Sequence, residues 1–167
     1  MLKVGDLAPD FVAQDCNGRS LRLSDFRGQR VVLFFFPKAF TIGCTEEVGH
    51  FRDNQSRIEA HHAVLIGVSV DRPERQCEFA AQEHLQFRLV GDVSRQLSDA
   101  FGVLWPVLRV DRRVTFVIGP ESRIEAVIKH EVRVSRHLDD VLAHLDAQTG
   151  RKNGAPIVAG AHPSTIP

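Results

Sequence analysis

Residues 31–70 read VVLFFFPKAFTIGCTEEVGHFRDNQSRIEAHHAVLIGVSV, two apolar runs separated by a mostly polar segment. VVLFFF (31–36) and AVLIGVSV (63–70) are short and rich in β-branched and aromatic side chains, the make-up of strands buried on both faces. Between them, residues 44–60 carry Val48, Phe51 and Ile58 among polar residues, the spacing of a helix laid on a sheet. Strand, helix and strand in this order form a crossover unit whose strands pair in parallel. The unit places the chain in the α/β class and puts Cys44 at the turn from strand to helix.

The same alternation continues outward. DRPERQCEFAAQEH (71–84) has acidic residues early and Pro73 near a first-turn position, both suited to a helix start. FRLVGD (87–92) reads as a third short strand, and VSRQLSDAFGV (93–103) as a short helix closed near Gly102. RVTFVIG (113–119) and RIEAVIKHE (123–131) flank Pro120-Glu121-Ser122, a hairpin turn between antiparallel strands, so the sheet is mixed. In SRHLDDVLAHLDA (135–147), Leu138, Val141, Leu142 and Leu145 share one face of a closing amphipathic helix. Asp15-Cys16-Asn17-Gly18 marks the turn of a hairpin preceding the main sheet. Residues 1–149 are expected to form one domain. The glycine- and proline-rich stretch GRKNGAPIVAGAHPSTIP (150–167) lacks periodicity and reads as a mobile tail.

With 167 residues and 43% hydrophobic side chains, the chain can fill one good core. Lys plus Arg balances Asp plus Glu at 21 each, which gives no strong basic field for nucleic acid and no acidic, disordered composition. No apolar run approaches the ~20 residues a spanning helix needs, and MLKVGDLAPD lacks a secretion signal's apolar block. A cytoplasmic location, no membrane partner and a small substrate are the expectations. The three cysteines, Cys16, Cys44 and Cys77, form no C-x-x-C pair, so neither a zinc knuckle nor a dithiol motif is indicated. Among eight histidines, His61 and His62 point apart on an extended segment. His137 and His144 share a helix without a third ligand nearby. Most histidines are expected at the surface or at caps, with no metal and no cofactor.

Cys44 lies where α/β sheets commonly place their sites. Unpaired backbone N–H groups and the positive end of the helix dipole favour a thiolate there. Pro37 ends the strand because it cannot donate to the ladder, and it shields what lies behind it from water. Thr41 can set a hydroxyl beside the sulfur if the intervening turn is helical. Packing as a small hydrophobe is the other use of a cysteine in such a place.

The pattern Pro37-x-x-x-Thr41-x-x-Cys44 resembles the signature of the peroxiredoxins, and PKAFTIGCTEEVGHFRD (37–53) is similar to their bacterioferritin-comigratory, or Q-type, branch. VGDLAPDF, IGVSVD, FRLVGD and Arg113-x-Thr115-Phe116 resemble further family segments in the right order, so the likeness covers roughly residues 3–148. The resemblance implies a thioredoxin-like fold with an N-terminal extension, and reduction of hydrogen peroxide or organic hydroperoxides. It makes Cys44 the peroxidatic cysteine, which passes through sulfenic acid. It gives Arg113 the role of holding thiolate and peroxide by charge-assisted hydrogen bonds. Thr41 would orient the peroxide and Pro37 would shield the sulfenate. Glu47 matches a glutamate of the Q-type run that could position the arginine, whereas Glu46 suits the helix dipole. Asp111 and Arg112 serve as comparison, Arg112 pointing to the other face of the strand and toward solvent.

The chain departs from the family where the sulfenic acid is recycled. The two places where Q-type members carry a resolving cysteine are Gly49 and Ala80 here. Cys77 lies one turn before Ala80 and could approach Cys44 after local unwinding, or could simply pack its helix onto the sheet. Cys16 is expected to be structural or incidental. Without Cys77, an external thiol reductant such as thioredoxin or glutaredoxin would act directly, as in a one-cysteine enzyme. The expected assembly is a monomer or homodimer. A disulfide oxidoreductase would need the absent C-x-x-C, and a thioredoxin-fold binding module would not need Pro37, Thr41, Cys44 and Arg113 together.

Overall fold

The computed structural model describes residues 1–152. Its element order begins with β1 (Val12–Gln14) and β2 (Ser20–Arg22), followed by a 3-10 turn (Leu23–Phe26). Then come β3 (Arg30–Phe35), α1 (Ile42–Asp53), α2 (Gln55–Glu59), β4 (Ala63–Ser69), α3 (Pro73–Gln82) and β5 (Arg88–Gly91). The chain continues through α4 (Gln96–Phe101), β6 (Val114–Ile118), β7 (Ile124–Lys129) and α5 (Ser135–Lys152). The expected α/β class holds. Five strands form one mixed sheet in the order β5-β4-β3-β6-β7, with β3, β4 and β5 parallel and β6 and β7 antiparallel to their neighbours.

β3 lies at the centre and is buried on both faces, as its composition implies. Val32, Phe34 and Phe36 face a cluster with Cys44, Val48, Phe51, Phe79 and Leu142, whereas Val31, Leu33 and Phe35 face one with Val68, Phe101 and Phe116. Phe34 stacks on Phe51 at 4.6 Å between ring centroids. Burying each such ring stabilises the fold by about 1.5–3 kcal/mol. Gly67 makes this possible, because a Cβ there would lie 2.7 Å from Phe34 Cζ and 2.6 Å from Leu89 Cδ2. The β1–β2 hairpin turns at residues 15–19, where the Asp15 carboxylate accepts from the backbone N–H groups of Asn17 and Arg19.

Three expectations are amended. The helix expected over 44–60 breaks at Asn54, whose φ of −118° and ψ of 12° leave the helical region and separate α1 from α2. α5 continues to Lys152, past the boundary drawn at 149; the rest of the expected tail, 153–167, lies outside the described residues. Arg112 does not simply face solvent: its guanidinium lies 4.1 Å from the Trp105 ring centroid. Next to it, Asp111 is fully buried, and neither carboxylate oxygen has a hydrogen-bond partner. The nearby Ser98 hydroxyl instead donates to Asp92 at 2.7 Å. Burial pushes the Asp111 carboxyl up to about 7.

Candidate active site

After β3, the Phe36 N–H still donates to Val68 O at 3.0 Å, and Pro37 then stops the ladder. The loop that follows is held from β4 and α3. Ala39 N–H donates to the Asp71 carboxylate at 2.7 Å, and Arg75 donates to Ala39 O at 3.2 Å. Phe40 adopts a left-handed backbone, φ 65°, with its ring 5.0 Å from that of Phe79 and under the Arg75 guanidinium. Thr41 is the N-cap residue of α1. Its exposed hydroxyl donates to Lys38 O at 3.0 Å and makes no cap hydrogen bond.

One turn on, Cys44 is a free thiol with no solvent exposure. Arg113, immediately before β6, reaches across the start of α1. Its Nη2 lies 3.6 Å from Cys44 Sγ, while Nη1 pairs with Glu47 and lies 3.5 Å from Gly43 O. Gly43 permits the approach: a Cβ there would sit 3.1 Å from Arg113 Nη2. Cys44, Glu47 and Arg113 thus form one buried cluster, with Pro37 and Thr41 on the loop leading into it.

Burial is the largest influence on each charged member. It raises the Glu47 carboxyl from 4.5 to about 7 despite the opposing effect of Arg113. It also opposes the charge on Arg113, but Glu47 and the Cys44 sulfur outweigh it and hold the guanidinium above its ordinary value. The arginine is therefore a fixed positive charge, and burial moves the Glu47 carboxyl toward neutrality. A carboxylate can anchor one arm of the fork while the other arm remains directed at sulfur.

His137 belongs to the same buried neighbourhood and is an exception to the expectation that most histidines lie at the surface or at caps. It has no exposure, and its Nδ1 lies 2.9 Å from Thr115 Oγ1 and 4.0 Å from Glu47 Oε1. Its Nε2 lies 3.0 Å from His130 O and 3.2 Å from His130 N. Burial, with Arg113 and His130 nearby, lowers its pKa to about 4, so the ring is neutral near pH 7. The sequence carried a signal for this placement: His137 is four residues before Val141 on the apolar stripe of α5. Among the described residues, no group of three or more His, Cys, Asp or Glu side chains is placed to hold a metal ion.

Cys16, expected to be structural or incidental, is not incidental: it is joined to Cys77 by a disulfide with a Cα–Cα distance of 5.2 Å. The bond links the hairpin turn to α3. On α3, Arg75 and Phe79 share the face toward Phe40, whereas Cys77, two positions from each, lies on the opposite face. Ala80 is the residue that packs against the Cys44 cluster, and Gly49 lies on α1 beside Arg52.

The AhpC/TSA family matches residues 4–127. Peroxiredoxin Bcp of Escherichia coli strain K12 is 37% identical over 147 residues, covering 84% of this chain and 94% of that protein. Among solved structures, peroxidoxin BcpB from Mycobacterium tuberculosis has a TM-score of 0.83 and 35% identity, covering 88% of this chain and 98% of that one. The bacterioferritin comigratory protein of Xanthomonas campestris has a TM-score of 0.79 and 28% identity, covering 89% and 98%. These likenesses, with the mixed sheet and its N-terminal hairpin, support the expected thioredoxin-like fold. The chain belongs to the AhpC/TSA family, in its Bcp, or Q-type, peroxiredoxin branch.

Proposed function

We propose that this chain reduces hydrogen peroxide and organic hydroperoxides at Cys44, within one domain that closes with α5. The observation carrying the reading is the approach of Arg113 Nη2 to within 3.6 Å of the buried Cys44 sulfur, with Glu47 anchoring the other arm. The Xanthomonas bacterioferritin comigratory protein has alkyl peroxide reduction activity, which supports the substrate class.

In the reaction, the Cys44 thiolate attacks one peroxide oxygen and the O–O bond breaks. Cys44 becomes sulfenic acid, and the departing oxygen leaves as water or alcohol after taking a proton. Arg113 stabilises the thiolate and the negative charge that grows on the leaving oxygen, a contribution that strengthens in a water-poor site. Glu47 positions the guanidinium, Thr41 orients the peroxide, and Pro37 shields the sulfenate. The hydroxyl of Thr41 must turn from Lys38 O to do so.

The sulfenic acid is returned to thiol through Cys77 or directly by an external thiol such as thioredoxin or glutaredoxin. The chemistry needs no metal or cofactor. The proposed setting is the cytoplasm, with the protein a monomer or homodimer contributing to redox homeostasis and having no nucleic-acid or membrane partner. Among the described residues, no helix is long and apolar enough to cross a membrane. The test is consumption of hydrogen peroxide and of an organic hydroperoxide with dithiothreitol as the sole reductant. Wild type is expected to consume both; no consumption would return the fold to a binding role.

A further inference from the structure

We propose that Cys16 is a third redox residue, and that the Cys16–Cys77 disulfide is the form in which oxidation at Cys44 is presented to a dithiol reductant. The inference rests on the peroxidase reading of Cys44 and adds a route by which oxidation leaves that site.

Access poses the problem. Cys44 has no solvent exposure and is covered by Arg113, so a small peroxide and a folded dithiol protein face different barriers. Cys16 and Cys77 are both partly exposed. Asn17 and Gly18 beside the first, and Glu74, Glu78 and Ala81 around the second, are open to solvent. Their Cα separation of 5.2 Å lies within the range that a disulfide spans. The chain has three cysteines, so the partners available to Cys44 within it are the two that bond each other.

The segment between the two sites is arranged to open. Thr41 gives α1 no side-chain cap, and Ile42 in its first turn is 91% exposed. Phe40 holds a left-handed backbone that a non-glycine residue seldom adopts. These residues precede Cys44 and pack directly on α3 through Phe79 and Arg75. Unwinding the first turn of α1 carries Cys44 toward α3, and loosening α3 brings Cys77 round from its opposite face.

The relay balances in three transfers. Peroxide takes two electrons from Cys44, leaving sulfenic acid. The Cys77 thiolate attacks that sulfur, an S–S bond forms, and hydroxide leaves as water after protonation. The Cys16 thiolate then attacks Cys77 Sγ, the Cys16–Cys77 bond forms, and Cys44 leaves as a thiolate stabilised by Arg113. Return of Cys44 to its buried place restores the core contacts around it and draws the exchange forward. An external dithiol completes the cycle by reducing the Cys16–Cys77 bond to two thiols and becoming a disulfide itself. The structure with free Cys44 and bonded Cys16–Cys77 corresponds to the end of the relay, before that reductant acts.

The test begins with protein reduced by dithiothreitol and desalted. It is given one equivalent of hydrogen peroxide, quenched and alkylated, then mapped by non-reducing peptide mass spectrometry with dimedone present in parallel samples. Wild type is expected to end with a Cys16–Cys77 bridge and a Cys44 thiol. Cys16→Ser is expected to accumulate at least about tenfold more Cys44–Cys77 bridge than wild type. Cys77→Ser is expected to stop at dimedone-reactive Cys44, and Cys44→Ser to form no bridge in the same interval. Cys16→Ala is carried beside Cys16→Ser, so that a fault in either variant's folding is recognised by circular dichroism and by disagreement between them. Dimedone-labelled Cys44 in wild type with Cys16 and Cys77 still as thiols would overturn the relay and leave the peroxidase reading standing. Formation of the Cys16–Cys77 bridge in Cys44→Ser at the wild-type rate would also overturn the relay. No oxidation of Cys44 in any sample would overturn both readings.

Discussion

Replacing Arg113 by Met separates two duties of one side chain. The guanidinium supplies a donor to Cys44 Sγ and neutralises a carboxylate with 1% exposure, so its loss affects chemistry and stability together. Losing one preorganised donor from a water-poor site lowers kcat/KM by about 10²–10³, or roughly 2.7–4 kcal/mol. Breaking a buried pair by removing one partner costs about 3–5 kcal/mol where the other remains charged. Without Arg113, the Glu47 carboxyl, already raised to about 7, moves higher and is held neutral at pH 7, so the stability loss grows as the pH rises further. The double variant Arg113→Met, Glu47→Gln removes both charges and is expected to unfold in urea within about 1 kcal/mol of wild type. Its peroxide reduction should remain low by the factor found for Arg113→Met alone. Recovery of kcat/KM to within about threefold of wild type in the double variant would show that the arginine acts only as a counter-charge to Glu47 and not on the reacting sulfur.

Three further outcomes follow from the same interior. Glu47 binds its proton more tightly folded than unfolded, so its contribution to stability falls as pH rises from 4.5 to about 7; Glu47→Gln should remove that component from urea midpoints measured across the window. Asp111 has the same sign over a window from 3.8 to about 7, and Asp111→Asn should show less loss of stability between pH 5 and 8 than wild type by the same measurement. Gly67→Ala forces Phe34 and Leu89 to shift and should cost about 1–3 kcal/mol in denaturant unfolding.

The main sheet was legible because its strands advertise themselves. VVLFFF and AVLIGVSV are buried on both faces, and such runs need no tertiary information to be read. The position of Cys44 at a strand-to-helix turn was legible for the same reason, whereas the importance of Arg113 came from a resemblance in short motifs. What sequence spacing could not convey is which distant segments share a surface. Cys16 and Cys77 are 61 residues apart and meet only because the hairpin turn, through Cys16 N–H to Leu89 O, docks on β5 beside α3. The direction of Cys77 likewise depends on the rotation of α3, which is set by Phe79 and Arg75 gripping Phe40. His137 lies on an apolar stripe that was visible, but its partners Thr115 and His130 come from β6 and the loop after β7. Asp111 offered no signal, since an acidic residue before a strand ordinarily faces water.

Peroxide reduction by electrons from the Cys44 thiolate is tested most directly by Cys44→Ser. Peroxide loss is followed with dithiothreitol as reductant, using wild type and the variant at equal concentration, with folding checked by circular dichroism. Folded Cys44→Ser is expected to consume peroxide no faster than the buffer with dithiothreitol alone. Consumption by that variant at the wild-type rate would contradict it, and would place the reacting thiol elsewhere in the chain.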